Sequence, residues 1–488
     1  MMKNQNTPHC HKLARLLAIL IFVFCLSSSR VVAQTPVTVK LHPHSRGTAI
    51  PPDFLGLSFG MRTLLPDSSE GHLFSPTNHP LITLFQNLEL KHLRVGGTTV
   101  ESPTDIPIPD HHDIDNLFAF ARAAEVDKII YSLRLLETNT TQHYPETDAA
   151  IAQYIWAHYR SQLDSFALGN EPDLRRVYLH DIVITNFATY LREWRQFAST
   201  ITNVVPEAGF AGPDAASANI SWTTAFSHAQ KKSGLIRAVT EHFYVGGAGR
   251  DLAPQKAIDD MLSTNWTGTN QRLYDKMAKP VLADGLTYRF TEANDHYSGG
   301  AHDASDTFAG ALWALDFLHW WAAHGTRGVN FHNTTWVPND VITRDPDKKF
   351  ATNPKGYGLK AFALGSHGVT ERVTVSPKSK LNLTAYAVRG VEERFVTIIN
   401  KEHGLNARAA TVTISGSKSA EPASVIYLSV PNSDVAAKTG MTLGGASIGS
   451  DIPWSGQWQS LPVAKADSYM VLVPAASAAI VRIPLPKN

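Results

Sequence analysis

The chain has 488 residues, of which 43% are hydrophobic and 18% are charged, and it contains 32 Gly and 28 Pro. This composition is typical of a globular protein, and it excludes collagen, a coiled coil, a disordered chain and a polytopic membrane protein. The 44 Lys and Arg residues nearly balance the 43 Asp and Glu residues, so the net charge is +1. This balance provides no basic field for nucleic acid or anionic lipid, and we expect neither as a partner.

The N-terminal segment has the pattern of a secretory signal peptide. Lys12 and Arg15 closely precede the apolar run Leu16–Leu26, three serines follow it, and Val31 and Ala33 provide the small residues at the −3 and −1 positions of a cleavage site. The run is too short to span a bilayer, so we predict cleavage after residues 1–33, with an uncleaved anchor as the alternative. Both cysteines, Cys10 and Cys25, lie in this segment, so the mature chain has no thiol for disulfides or metal binding. The predicted protein is secreted or periplasmic and has no membrane contact after cleavage.

Between residues 53 and 362, short strand-like runs alternate with stretches of helical periodicity. Eight runs are predicted strands: Phe54–Phe59, His92–Val95, Lys128–Leu133, Ser165–Leu168, Ala208–Ala211, Ala238–Phe243, Leu286–Thr291 and Gly328–Phe331. Eight strand–helix units predict an α/β fold, the closed (β/α)8 or TIM barrel. A doubly wound open sheet is the alternative, and it is disfavoured because no glycine-rich phosphate loop follows the first run.

Beyond Phe362 the texture changes to short runs of alternating apolar and polar residues, which predict a C-terminal antiparallel β-sandwich. The predicted strands are Val373–Val375, Leu383–Val388, Phe395–Ile399, Ala410–Ile414, Ser424–Val430, Tyr469–Val473 and Ala479–Ile483. The run Val37–Leu41 also alternates, so we expect it to join the same sandwich. The predicted organisation is therefore a signal peptide (1–33), an N-terminal strand (34–52), a catalytic barrel (53–362) and the sandwich (363–488).

Two carboxylates follow strands of the predicted barrel, where the catalytic groups of such barrels lie. Glu171 follows the fourth run and Glu292 ends the seventh, three β/α units later. Either residue alone would be read as a surface glutamate. Together they suit hydrolysis of a glycoside, in which one carboxyl group protonates the leaving oxygen and the other attacks the anomeric carbon or activates water.

The residues around this pair resemble a known group of enzymes. The motif at residues 169–172 (Gly-Asn-Glu-Pro) is similar to the acid/base motif of the clan A glycoside hydrolases, which are retaining barrel enzymes. Three further stretches follow predicted strands: 93–97 (Leu-Arg-Val-Gly-Gly), 242–244 (His-Phe-Tyr) and 292–300 (Glu-Ala-Asn-Asp-His-Tyr-Ser-Gly-Gly). Together they resemble glycoside hydrolase family 79, the β-glucuronidases and heparanases, over the barrel and more loosely the sandwich.

The resemblance implies a role for each matching residue. Glu171 is the expected acid/base, Glu292 the nucleophile and Asn170 a donor to the sugar 2-hydroxyl. Arg94 is expected to keep Glu292 ionised or to pin the barrel rim, because a nearby guanidinium lowers a carboxyl pKa. Tyr244 is expected either to donate its hydroxyl to Glu292 or to line the sugar pocket.

Recognition of a uronate needs donors aimed at its C6 carboxylate. The resemblance implies that Tyr297, Gly299 and Gly300 supply them, through a phenol hydroxyl and backbone N–H groups. The alternative is a glycine-rich turn that carries a packed tyrosine. His242 is expected to be a hydrogen-bonded strand residue, with direct participation in the reaction as the alternative. The residues after the eighth run, His332 and Trp336, have no assigned role.

Three functions remain open. The favoured one is a retaining exo-β-glucuronidase acting on glycans that end in glucuronic acid; the others are an endo-acting heparanase and a carbohydrate-binding protein without activity. An endo cleft for heparan sulfate needs basic clusters, whereas this barrel has only isolated pairs, at residues 175–176, 231–232 and 348–349. Residues 111–113 (His-His-Asp) are expected to form a solvated loop, since they lack a third metal ligand. We expect no cofactor and no metal.

Overall fold

The structure is a computed structural model. It describes residues 34–43, 45, 47–68, 71–101, 106–135, 144–174, 184, 186–216, 220–377, 381–465 and 467–486. The predicted signal peptide therefore lies outside the described residues. Within them, no helix is long and apolar enough to cross a membrane.

Eight parallel strands close into a barrel, and each predicted barrel strand overlaps one of them. After an N-terminal strand, β1 (Gln34–His42), the barrel strands are β2 (Leu55–Gly60), β3 (His92–Gly96), β4 (Lys128–Leu133), β5 (Leu163–Leu168), β6 (Phe210–Ala216), β7 (Ile236–Tyr244), β8 (Tyr288–Asn294) and β9 (Gly328–His332). Each strand pairs with its neighbour in sequence, and β2 pairs with β9 to complete the ring. The carboxyl ends of all eight strands therefore meet at one end of the barrel, which we call the mouth.

Helices cover the outside of the barrel. They are α1 (His79–Leu88), α2 (His111–Ala123), α3 (Pro145–Tyr159), α4 (Phe187–Val204), α5 (Ile220–Gln230), α6 (Pro254–Leu262), α7 (Thr264–Leu273), α8 (Lys279–Ala283), α9 (Phe308–Ala323) and α10 (Pro354–Gly365). A π-helical turn (Tyr274–Ala278) joins α7 to α8, and 3₁₀ turns span Met61–Leu64, Thr98–Glu101 and Pro431–Ser433. A hairpin of β10 (Ile342–Arg344) and β11 (Phe350–Thr352) precedes α10.

The prediction of a loop at residues 111–113 is wrong, because α2 begins at His111. Asp110 is the N-cap: its side chain accepts from the backbone N–H of Asp113, and the Asp113 side chain accepts from the N–H of Asp110. This reciprocal capping box stabilises the first turn of a helix. The Asp113 carboxylate also lies 2.7 Å from the ring of His72, so the histidine-rich segment is a capped helix start.

The C-terminal strands form one mixed sheet that folds back on itself. They are β12 (Val369–Ser376), β13 (Leu383–Arg389), β14 (Glu393–Asn400), β15 (Ala409–Ser415), β16 (Ala423–Ser429), β17 (Thr442–Leu443), β18 (Gln459–Leu461), β19 (Val463–Lys465), β20 (Ser468–Val473) and β21 (Ser477–Pro484). The sheet order is β17-β16-β21-β14-β13-β12-β1-β15-β20-β19, with β18 on β16. Strand β1 joins it as predicted, but its pairing with β15 is parallel, the exception to the predicted antiparallel pattern.

Alternate residues explain how the sandwich attaches to the barrel. On β14, Val396 and Ile398 belong to the sandwich interior, whereas Ile399 joins the core shared with the barrel. On β21, Val481 and Ile480 divide in the same way. Because side chains along a strand alternate between faces, the part of the sheet that contains β14 and β21 buries both of its faces. The predicted domain boundaries stay predictions.

Candidate active site

The turn after β5 carries the predicted acid/base. Gly169 adopts a φ of +83°, and a Cβ at this position would lie 2.7 Å from the Glu101 carboxylate, so only glycine fits the turn. Asn170 is buried and Glu171 is partly exposed. Glu171 has a φ of +41°, a left-handed conformation that costs a non-glycine residue roughly 1–2 kcal/mol. Strain of this kind is common where a side chain is held in place for a function.

The predicted nucleophile, Glu292, lies on β8 and is 8% exposed. The Tyr244 hydroxyl donates to its Oε1 over 2.6 Å, and Arg94 Nη1 donates to its Oε2 over 3.2 Å. His332 Nδ1 lies 3.5 Å from the same Oε2. Burial by itself raises a carboxyl pKa, but the charges of His332, His242 and Arg94 and the tyrosine hydrogen bond together lower the pKa of Glu292 to about 2. Glu292 is therefore ionised at neutral pH, as a nucleophile must be.

Arg94 connects Glu292 to Asn170, the neighbour of Glu171, from the floor of the mouth. Its side chain is fully buried on β3. While Nη1 faces Glu292, Nη2 donates over 2.8 Å to Asn170 Oδ1 and over 2.8 Å to Asp214 Oδ2. A guanidinium presents its donors in a rigid planar fork, so these contacts fix the orientation of Asn170 beside Glu171.

His242 also belongs to the site. It lies two residues before Tyr244 on β7, and its Nδ1 is 3.0 Å from Glu171 Oε1 and 3.8 Å from Glu292 Oε2. Burial alone would lower the imidazole pKa, but the charge of Glu292 and the contacts with Asp214 and Glu171 raise the pKa of His242 to about 10. The ring is therefore a cation. His242 is thus a hydrogen-bonded residue of the strand, as expected, but the sequence did not indicate that it lies next to both carboxylates.

One carboxylate oxygen of Glu171, one of Glu292 and a ring nitrogen of His242 all lie within 4.8 Å of one another. Within the described part of the chain, this is the one cluster of three His, Asp, Glu or Cys side chains close enough to share a metal ion. Each carboxylate of this cluster faces a cation of the protein itself: Arg94 faces Glu292, and His242 faces Glu171. An oxygen of each carboxylate thus faces the same small space, in which a glycosidic bond can lie between an acid and an anion.

The turn after Glu292 lies beside this pair. Tyr297 is 48% exposed, and its ring centroid is 6.3 Å from that of Tyr244 in an edge-to-face arrangement. Gly300 has a φ of +91°, and a Cβ there would lie 2.7 Å from Asn339 Cβ. Gly299, with a φ of +84°, accepts from the Asn339 N–H through its carbonyl. The structure thus holds the turn close to the proposed pocket and requires glycine at residue 300.

A buried network fastens this turn. The Lys355 ammonium, on α10, lies 3.0 Å from Asp295 Oδ2 and donates over 2.7 Å to the Asn339 carbonyl oxygen. Asp295 Oδ1 accepts from Ser305, whose hydroxyl oxygen in turn accepts from the Ala301 N–H. These contacts hold both ends of the turn. Sequence reasoning did not find the Lys355 contact with Asp295, because the two residues lie 60 positions apart in the chain.

Sequence reasoning also missed Asp214, which lies beneath the acid/base and is 1% exposed. The sequence did contain a signal for Asp214, because it is a carboxylate near the end of a barrel strand, as Glu171 and Glu292 are. The predicted fifth strand stopped at Ala211, whereas β6 continues to Ala216 and includes Asp214.

Comparison with solved structures agrees with this architecture. The chain superposes on a 4-O-α-L-rhamnosyl-β-D-glucuronidase from Fusarium oxysporum with a TM-score of 0.69 and 15% identity, covering 91% of this chain and 99% of that one. It superposes on a family 51 arabinofuranosidase from Xanthomonas axonopodis pv. citri with a TM-score of 0.66 and 13% identity, covering 92% and 99%. At these identities the similarity concerns the fold. The fold and the paired carboxylates are together the arrangement that hydrolysis of a glycoside requires.

Comparison of the sequence gives a match to one family model and to one relative. Residues 135–319 match the family model described as glycosyl hydrolase family 79, N-terminal domain. A β-glucuronidase of Aspergillus niger is 27% identical over 255 residues, which are 46% of this chain and 45% of that protein, so the match spans less than half of the relative's length. Over this part of the barrel the chain is therefore similar to glycoside hydrolase family 79, the family that the sequence motifs resemble.

Proposed function

We propose that this protein is a retaining exo-β-glucuronidase that releases terminal β-D-glucuronic acid from glycans by double displacement. The observation that carries the proposal is the pair of facing carboxylates, whose oxygens lie within 4.8 Å of each other. Retaining enzymes hold their two carboxyl groups about 5–5.5 Å apart, whereas inverting enzymes leave about 6.5–9.5 Å for a water molecule. The spacing therefore supports direct attack by one carboxylate.

The two displacements follow from the contacts of each residue. Glu292, kept ionised by Arg94 and His242, attacks the anomeric carbon while Glu171 gives its proton to the leaving oxygen. The glycosyl–enzyme ester then forms on Glu292, and Glu171, now a carboxylate, removes a proton from the water that hydrolyses this ester. The His242 cation, 3.0 Å from Glu171 Oε1, stabilises the charge that Glu171 acquires between the two steps.

Selectivity for glucuronic acid is assigned to Tyr297, Gly299 and Gly300. No acceptor among the described residues engages the N–H groups of Gly299 and Gly300, and backbone donors of this kind suit a carboxylate. The family and the names of the A. niger and F. oxysporum relatives support a glucuronide as the substrate.

The exo mode is preferred to a heparanase-like endo mode on the basis of charge. Lys231, one member of a basic pair, donates to Asp284 over 3.0 Å, so its charge is compensated. The pair at residues 175–176 lies outside the described residues.

Secretion after cleavage at residue 33 is the last part of the proposal, and it rests on the N-terminal sequence alone.

The test is to assay the purified protein on nitrophenyl β-glucuronide, β-glucoside and β-xyloside in parallel. We expect activity on the glucuronide to exceed the other two by about a hundredfold or more. Hydrolysis confined to a neutral sugar would overturn the uronate assignment while leaving the reaction type in place. Proton NMR of the first-formed product reports the stereochemistry separately, and an α-anomer as initial product would contradict retention.

The role assignment has its own experiment. Glu292→Ala should abolish turnover of every glycoside, whereas Glu171→Ala should lose much less with nitrophenol than with a sugar leaving group, because nitrophenolate hardly needs protonation. Equal losses of kcat/KM on both kinds of substrate would contradict the acid/base role of Glu171.

A further inference from the structure

Asp214 is a buried carboxylate of the mouth with polar partners on several strands, and the reaction as described does not use it. Its Oδ2 accepts from Arg94 over 2.8 Å, and its Oδ1 accepts from the Thr291 hydroxyl over 2.6 Å. Its backbone carbonyl oxygen accepts from the N–H of Glu171 over 3.0 Å. The residue thus contacts strands on both sides of the catalytic pair without a side-chain contact to either glutamate.

The position of Oδ2 is explained by two cations. Arg94 Nη2 and His242 Nε2 are 3.5 Å apart, a distance at which like charges repel strongly in a low dielectric. Asp214 Oδ2 lies 2.8 Å from the first nitrogen and 3.9 Å from the second. The carboxylate is therefore the shared counter-ion that lets a guanidinium and an imidazolium occupy adjacent buried positions. In agreement, these two neighbours hold the pKa of Asp214 well below its usual range despite its burial.

The backbone conformation and contacts of Asp214 also hold this residue in a fixed position. Its φ is +55°, a left-handed conformation that only glycine, asparagine and aspartate adopt readily. The backbone N–H donates over 3.1 Å to Thr240 Oγ1. With the Thr291 contact, one threonine on each of the next two strands fastens the residue.

We propose that Asp214 is a positioning residue that acts through Arg94 on Glu292 and through His242 on Glu171. The proposal rests on the proposed roles of those two glutamates. Removing its charge leaves Arg94 and His242 to repel each other, so the guanidinium shifts relative to Glu292 and the imidazole loses its proton more easily. Both changes disturb the transition state more than substrate binding.

The decisive variant is Asp214→Asn, because asparagine tolerates the positive φ and keeps an oxygen for Thr291 while removing the charge. With nitrophenyl β-glucuronide we expect kcat to fall about tenfold to a hundredfold and KM to change by about twofold or less. The alkaline limb of the kcat profile should also move to lower pH, because loss of the nearby anion lowers the pKa at which His242 gives up its proton. The other carboxyl groups that face Asp214 or His242 are those of Glu171, Glu292, Asp173 and Glu241.

A matched control removes another buried aspartate. Asp316, on α9, pairs with Lys401 at 2.6 Å, away from the mouth, and Asp316→Asn should lower the melting temperature without moving kcat or the alkaline limb. An Asp214→Asn enzyme with unchanged kcat and pH profile, or with changes that Asp316→Asn reproduces, would overturn the proposal.

A second variant covers misfolding of the first. Thr291→Val removes the hydroxyl that holds Oδ1, and we expect a smaller fall of kcat, about twofold to fivefold, with a shift of the alkaline limb in the same direction; no shift would contradict the proposal. If the wild-type enzyme hydrolyses only a neutral glycoside, the same variants are measured on that glycoside. The uronate assignment then fails while the role of Asp214 is still tested.

Discussion

The mouth of the barrel and the interior of the sandwich bury opposite kinds of side chain. In the mouth, Arg94, Asp214, His242 and Glu292 are all 8% exposed or less. In the sandwich interior, the equally buried residues of β1, β14, β15 and β21 are Val39, Ile398, Val412 and Val481. A buried charge is tolerated when it is paired, and each charged group named here in the mouth faces one of opposite sign. The mouth thus holds reactive groups in defined protonation states, while the sandwich contributes apolar packing.

The strongest way to separate the two regions is to break one buried arginine pair in each. Arg94→Met should lower kcat/KM about a thousandfold, since it releases Glu292, Asn170 and Asp214 together. It should also destabilise the fold by about 3–5 kcal/mol, because it leaves unpaired buried carboxylates.

The matched variant is Arg394→Met in the sandwich. Arg394 is buried and its Nε donates to Glu371 over 2.6 Å, so we expect a similar loss of stability in urea unfolding but an unchanged kcat. A comparable loss of activity in Arg394→Met would show that the mouth depends on the sandwich for its geometry.

A cavity in the sandwich sharpens the comparison from the apolar side. Ile398→Ala removes a fully buried side chain of β14, which typically costs about 2–5 kcal/mol. The measurement is the unfolding free energy in urea together with kcat at 25 °C. Because Ile398 faces the sandwich interior and not the helices, kcat should stay within about twofold of the wild type; a large fall would contradict a purely structural role of this layer.

Acid should weaken the mouth before the sandwich core. The pKa of Glu292 is lowered from 4.5 to about 2, so its contribution to stability is complete above about pH 4.5 and is lost as the pH falls toward 2. It amounts to about 3 kcal/mol at most. The unfolding free energy of Glu292→Gln, measured from pH 6 to pH 2.5, should therefore fall less steeply than that of the wild type. Parallel curves would contradict the lowered pKa.

The smallest expected effect concerns substrate choice alone. Tyr297→Phe removes one neutral donor and should lower kcat/KM for a glucuronide about tenfold to a hundredfold. The weak rate on a glucoside should hardly change, because a glucoside has no C6 carboxylate. Proportional losses on both substrates would show that Tyr297 supports Glu292 and does not recognise the uronate.

Local sequence patterns determined the barrel strands, the N-terminal strand of the sandwich and the two glutamates at the strand ends. Hydrophobic periodicity is a local property, and in a parallel barrel the end of a strand already indicates which face a residue occupies. The capped start of α2 at His111 was also encoded locally, by Asp110 and Asp113, but the histidines drew attention away from the capping pattern.

Tertiary structure alone decided which charges meet. Asp214 reaches Arg94 across 120 positions of the chain, and Lys355 reaches Asp295 across 60. The parallel pairing of β1 with β15 likewise joins residues that are distant in sequence. Contacts of this kind depend on barrel closure and strand register. The charges that they bring together set the pKa values that make Glu292 an anion and His242 a cation, against the effect of burial. A sequence read along its length specifies each of these residues, but their partners exist only once the barrel has closed.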